Sequence, residues 1–104
     1  MIVNDTNFQK EVLDSSLPVV VEFGAEWCVP CKRLEPLMVQ IMEEWAGKAV
    51  LATVSVDENP ELVMQYQVMS VPTLMLFVGG KPVERLGGSQ SRTNIIGKFA
   101  PHIT

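Results

Sequence analysis

The apolar residues of this chain recur with two different periods, and the change from one period to the other marks out its elements. Pro18-Val19-Val20-Val21-Glu22-Phe23-Gly24 is almost continuously apolar, the pattern of a strand covered on both faces of a sheet, and it predicts a strand over Leu17–Gly24. From Cys28 to about Ala46 the apolar positions become Cys31, Leu34, Leu37, Met38, Ile41, Met42 and Trp45. This 3–4 spacing predicts a long helix with one buried stripe. Pro36 inside it has no N–H for the Lys32 carbonyl and predicts a kink, and Gly47 ends the helix. Ala49–Asp57, rich in Val, Ala and Leu, is the next strand. Asn59-Pro60 opens a short helix carrying Leu62, Val63 and Tyr66. Thr73–Val78 is a strand, Gly79-Gly80 a hairpin signal, and Lys81–Leu86 the antiparallel return, with Pro82 near its start as suits an edge strand. Gly87-Gly88 breaks the pattern. A last helix begins at Ser91 with Ile95, Ile96, Phe99 and Ala100 inward, is weakened by Gly97, and is stopped by Pro101. At the other end Met1–Val3 is a short candidate strand, and Asn4, Asp5 and Thr6 offer caps for a helix carrying Phe8, Val12 and Leu13.

The predicted order is β-α-β-α-β-α-β-β-α. Early βαβ units imply parallel strands joined by right-handed crossovers, and the terminal hairpin adds an antiparallel pair. The expected architecture is an α/β domain over residues 1–104: a mixed five-stranded sheet flanked by four helices. A length of 104 residues suffices to bury a real core. The net charge of −4, with Lys32-Arg33 the only adjacent basic pair, argues against nucleic acid or an anionic membrane surface as a partner. No apolar run approaches the roughly 18 residues a membrane span needs. The N-terminus passes straight into fold-like sequence without a basic segment and a long apolar one, so the expected location is cytoplasmic. In that compartment a cysteine pair points to redox or metal chemistry before a structural staple.

The chain has two cysteines, three apart, in the run Trp27-Cys28-Val29-Pro30-Cys31. Residues i and i+3 of a helix are neighbours, with Cβ atoms roughly 5–6 Å apart, within reach of a disulfide after a small adjustment. The pair lies where a strand runs into a helix, and unpaired N–H groups at a helix N-terminus stabilise a thiolate. Cys31 belongs to the buried stripe and Cys28 to the open helix start, so the two thiols are expected to differ in exposure. Inert core thiols are the bland alternative. Zinc usually needs four ligands, and with His102 far along the chain it would require sharing between two molecules. The alternation around Glu22 leaves its facing open. Pro72 taken alone would be trans, as most X–Pro bonds are. The methionines read as packing, Tyr66 and His102 carry no functional signal, and no Gly-rich nucleotide motif is present, so no cofactor is expected.

The order Trp27-Cys28-x-Pro30-Cys31-Lys32 after an apolar strand, Pro36 in the following helix, Ser70-Val71-Pro72-Thr73 before a strand, the hairpin and Leu86-Gly87-Gly88 resembles the thioredoxin family, from about Asn4 to Phe99. The resemblance implies a thioredoxin fold and a protein disulfide reductase, an electron carrier in cell redox homeostasis. It implies disulfide-containing client proteins and a thioredoxin reductase or equivalent donor as partners, no nucleic acid or membrane, and a monomer. It assigns the nucleophile to Cys28, the resolving thiol to Cys31, a redox disulfide to that pair, the cis-proline to Pro72, and the proton acceptor and donor to Glu22. Client binding falls on Trp27, Val29, Pro30, Val71 and Gly87, with the Val71 backbone pairing an extended segment by strand addition.

Four positions depart from the family pattern. Val29 stands where glycine is usual, Glu22 where aspartate is, Thr53 where a lysine is common, and Gly24 where an aromatic often lies. Burial lifts a glutamate from its ordinary pKa of about 4.3, and loss of the lysine is expected to lift Glu22 further. The competing readings are a disulfide oxidase or isomerase on the same fold, and an interaction module that uses the apolar patch without catalysis.

Overall fold

A computed structural model describes residues 1–103. Four strands form one mixed sheet in the order β2-β1-β3-β4. These are β1 Val19–Gly24, β2 Val50–Ser55, β3 Thr73–Val78 and β4 Lys81–Gly87. The helices are a short π-helical turn at Gln9–Leu13, α1 Val29–Glu44, α2 Pro60–Gln65 and α3 Arg92–Ile103. β1 runs parallel to β2, with Glu22 opposite Thr53, and antiparallel to β3, with Phe23 opposite Thr73. β3 and β4 close as the hairpin across Gly79-Gly80, both with positive φ as such a turn requires.

The expected fifth strand is absent. Met1–Val3 meets β2 through one parallel bridge, Ile2 to Thr53, with Val3 N–H donating to the Thr53 carbonyl and Thr53 N–H to that of Met1. The ladder stops because Asn4 turns the chain away: its Oδ1 accepts the N–H groups of Thr6 and Asn7 at 2.9 and 3.0 Å. At the other end Pro101 does not stop α3, which runs on to Ile103. The proline cannot donate to the Gly97 carbonyl, but Gly97 is exposed, where a missing helical bond costs little, while buried Ile95 and Phe99 hold the helix on the sheet.

Alternation along β1 explains why an almost wholly apolar strand was needed. Val19, Val21 and Phe23 pack on one face with Phe8, Val12 and Phe77. Val20 packs on the other with Leu34, Met38 and Ile41 of α1 and Phe99 of α3. Glu22, two residues from Val20, shares that second face and is buried. Tyr66 joins Phe8 and Phe77 in an aromatic cluster with ring centroids 5.2–5.5 Å apart. The methionines divide: Met38 and Met75 are core, whereas Met64 and Met69 are exposed, contrary to a uniform packing role.

Candidate active site

The sheet register brings the separate motifs to one end of the sheet. β1 ends at Gly24, β3 begins at Thr73 beside Phe23, and β4 ends at Gly87 opposite Thr73. The cysteine turn that follows β1 and the proline turn that precedes β3 therefore emerge together, with Gly87 beside them. The Val71–Pro72 peptide is cis. That turn is fastened by Thr73 Oγ1 donating to the Ser70 carbonyl at 2.8 Å, and by Gly88 N–H donating to the Pro72 carbonyl at 2.8 Å.

Cys28 is the N-cap of α1, with extended backbone, and Pro30 stands in the first turn, where its missing N–H would have been unpaired anyway. Cys28 and Cys31 are disulfide-bonded, with Cα atoms 5.3 Å apart. The Sγ of Cys28 also accepts the backbone N–H of Cys31 at 3.1 Å, the place a capping oxygen normally fills. The expected difference in exposure is not found: Cys28 is 3% and Cys31 5% exposed. A side chain that caps the helix and bonds the next turn must fold inward, which withdraws Cys28 from the surface. Trp27, Val29, Pro30 and Gly87 are exposed around it, Val71 is half-buried, and Pro72 is buried.

Beneath α1, Glu22 is buried, and its pKa is pushed up to about 7, first by burial and then by the negative charge of Glu35. Burial disfavours the charged form, and a neighbouring carboxylate adds to that. Among the described residues no group donates a hydrogen bond to its carboxyl. Thr53, its partner across β2, bonds back to the Met1 carbonyl instead, at 3.5 Å. Gly24 lies between the acid and the second sulfur: a Cβ placed there would sit 3.4 Å from Cys31 Sγ and 3.9 Å from Glu22 Oε2. A cleft of about 770 Å³ runs along β1, β2 and the start of α1, and Glu22, Gly24, Cys31 and Thr53 are among its walls.

Two residues of the site were not anticipated from the sequence. Asp57 accepts the Trp27 indole N–H at 2.8 Å and so holds the exposed ring. The β1–β2 register, which pairs Gly24 with Ser55, contains that signal, because both chains leave the sheet side by side. Glu35 stands one helical turn after Cys31, on the same side of α1, and a search for charges facing Glu22 would have found it.

The Thioredoxin family model matches residues 1–100. The thioredoxin of Chlorobaculum thiosulfatiphilum is 42% identical over 99 residues, covering 95% of this chain and 92% of that one. Thioredoxin 1 of Nostoc sp. is 40% identical over 101 residues, covering 97% and 94%. A bifunctional thioredoxin reductase/thioredoxin of Mycobacterium leprae is 40% identical over 94 residues, 90% of this chain and 20% of that protein. Similarity over nearly the whole length, together with a cysteine pair already joined at the mouth of a helix, places the chain in the thioredoxin family as a thiol–disulfide oxidoreductase, working in redox homeostasis by dithiol–disulfide exchange.

Proposed function

We propose that the exchange runs as protein disulfide reduction, with Cys28 as the attacking thiol and Cys31 as the resolving one. The observation that carries this reading is the Cys31 N–H aimed at Cys28 Sγ, 3.1 Å away, at the N-terminus of a 16-residue helix. The same donor and the helix dipole stabilise the Cys28 thiolate once the disulfide is reduced. That thiolate attacks one sulfur of a client disulfide and expels the other, leaving a mixed disulfide on Cys28. Cys31 then attacks the Cys28 sulfur, releases the reduced client and re-forms the Cys28–Cys31 bond. Glu22 takes the proton Cys31 must lose, since a group titrating near neutrality is matched to that transfer. The client segment lies along Val71, placed by Pro72, and is flanked by Trp27, Val29, Pro30 and Gly87.

Residues 1–104 act on this reading as one unit, a cytoplasmic monomer. Two hydrophobic clusters on either side of the same sheet support a single unit. No helix among the described residues is long and apolar enough to cross a membrane. Electrons come from a thioredoxin reductase or an equivalent donor. The Mycobacterium leprae relative, whose name joins both functions in one chain, supports that pairing. Replacing Cys31→Ser tests the order of attack. It is expected to accumulate client proteins as dithiothreitol-sensitive mixed disulfides through Cys28, while Cys28→Ser does not. Equal trapping by both variants would contradict the assignment, and unchanged client binding with both cysteines replaced would favour a non-catalytic module.

A further inference from the structure

β4 is an edge strand, and its two faces are fastened differently. On one face Glu84 pairs with Lys98 and His102 of α3. On the other, Arg85 lies opposite Met75 in the hairpin register. Its side chain therefore stands on the same face as the cluster that holds Met75, Val63, Tyr66 and Val68. From there it crosses to the end of α2. Nη1 donates to the Tyr66 carbonyl at 2.7 Å and Nη2 to the Gln67 carbonyl at 2.6 Å. The last carbonyls of a helix have no N–H of the next turn to accept, and a cationic side chain suits that end. Gln67 has φ +53°, the left-handed conformation that turns a chain out of a helix and that residues other than glycine adopt at a cost. The guanidinium thus grips two peptide groups where the backbone resists its own conformation.

We propose that Arg85 is a positioning residue for client docking, acting through the Tyr66 and Gln67 peptides on the Val71–Pro72 turn. This rests on the client-docking reading above and adds a residue to it. Four residues separate Gln67 from Pro72. Of these Val68 is buried, and its N–H donates to the Val63 carbonyl at 3.0 Å. Met69 and Ser70 are exposed. The far end of the segment is clamped by the Thr73 hydroxyl on the Ser70 carbonyl and by Gly88 N–H on the Pro72 carbonyl. Arg85 is the clamp at the near end. Arg85 and Gly88 lie three residues apart along one edge strand and its exit, so the same stretch of chain frames the docking turn from both sides. An extended client segment pairs with Val71 only when that peptide presents its polar groups in fixed directions. A segment held at both ends offers this geometry ready formed. One held at a single end must be ordered at each encounter, and apparent affinity falls by the fraction of time it is competent. Exchange between the sulfurs of Cys28 and Cys31 involves none of these groups. Arg85 therefore governs how tightly a protein docks, and not how fast the docked disulfide exchanges.

The test compares the reduced full chain with Arg85→Gln, which removes both the charge and the paired donors, and Arg85→Lys, which keeps the charge without the planar fork. Arg85 is exposed, so neither variant disturbs the core. Single-turnover reduction of insulin, followed by stopped-flow tryptophan fluorescence, gives a half-saturating concentration and a limiting rate. Arg85→Gln is expected to raise the half-saturating concentration about threefold to tenfold, as for a turn that is competent roughly a third to a tenth of the time. The limiting rate is expected to stay close to that of the parent, and Arg85→Lys to fall between the two. Reduction of a small aryl disulfide, dithiobis(nitrobenzoic acid), needs no strand beside Val71 and is expected to change little. Hydrogen exchange separates this from a general loss of stability: the Val68 amide is expected to exchange faster in Arg85→Gln, while the amides of β3 keep their protection. An unchanged half-saturating concentration for insulin, an equal loss with insulin and the aryl disulfide, or equal acceleration of exchange at Val68 and throughout β3 would overturn the proposal. Client trapping by Cys31→Ser is measured with Arg85 in place, so failure of the Cys28 assignment and failure of the Arg85 role are told apart.

Discussion

Phe23 and Glu22 are neighbours on β1, yet they face two differently built halves of the molecule. Phe23 enters a closed apolar layer, with Phe8, Phe77 and Tyr66 edge-on or tilted to one another. Glu22 enters the layer beneath α1, where the core of Val20, Leu34 and Met38 gives way, toward the cysteines, to a carboxyl and a cleft. One face is arranged for burial alone. The other gives up some of that burial to keep a titratable group beside a sulfur. Stability and chemistry are thus divided between two sides of one strand, and substitutions on the two sides should have different signatures.

The largest expected effect lies on the closed face. Phe77→Ala, at a fully buried ring in the aromatic cluster, is expected to cost about 3–5 kcal/mol in urea unfolding, while the Cys28–Cys31 reduction potential stays close to that of the parent. A large change in potential would show that the two faces are not independent.

The next effect has the opposite sign. Glu22 holds its proton more tightly in the folded protein, with a pKa raised from 4.5 to about 7. The folded state therefore binds more protons than the unfolded state between those values, and stability must fall as pH rises through that window. Allowing for the opening of the cleft to solvent, the loss is on the order of 2–3 kcal/mol. Glu22→Gln is expected to remove that slope and to be more stable than the parent above pH 8, while client turnover slows at the step that needs the Cys31 proton. Denaturant unfolding across pH 4–9 measures the first and stopped-flow release of reduced client the second. A parent-like slope in the variant would remove Glu22 from the account.

How much of this division the sequence revealed depends on how local each signal is. The cysteine turn, the strands and the α1 stripe were legible because their periods and spacings lie within one element. Met1–Val3 looked like a strand because three residues carry a pattern but no length, and the Asn4 cap that ends the pairing is decided by side-chain geometry. Pro101 looked like a stop because the sequence does not show that Gly97, one turn earlier, lies exposed. The similar burial of Cys28 and Cys31 depends on the bond between them. Asp57 and Glu35 act across elements, one through the β1–β2 register and one through the seat of α1 on the sheet.

Smaller effects sharpen the comparison on the Glu22 side. Asp57→Asn keeps an acceptor for Trp27 but removes a charge-assisted bond, and it is expected to cost about 0.5–1.5 kcal/mol, with weaker client binding through a freer indole. Indole fluorescence and client KM measure both. Glu35→Gln removes the lesser of the two causes that raise Glu22 and is expected to lower its pKa by less than burial raises it. A larger fall would mean that charge, and not desolvation, governs the site.

The most direct test is a titration of the Glu22 carboxyl carbon by NMR in the disulfide form. The account requires a midpoint near 7, as burial and the Glu35 charge give, moving down in Thr53→Lys, which puts a cation at its cross-strand neighbour. A midpoint near the ordinary glutamate value, unmoved by that lysine, would mean that Glu22 is a solvated strand residue and that the two faces of β1 do not divide stability from chemistry.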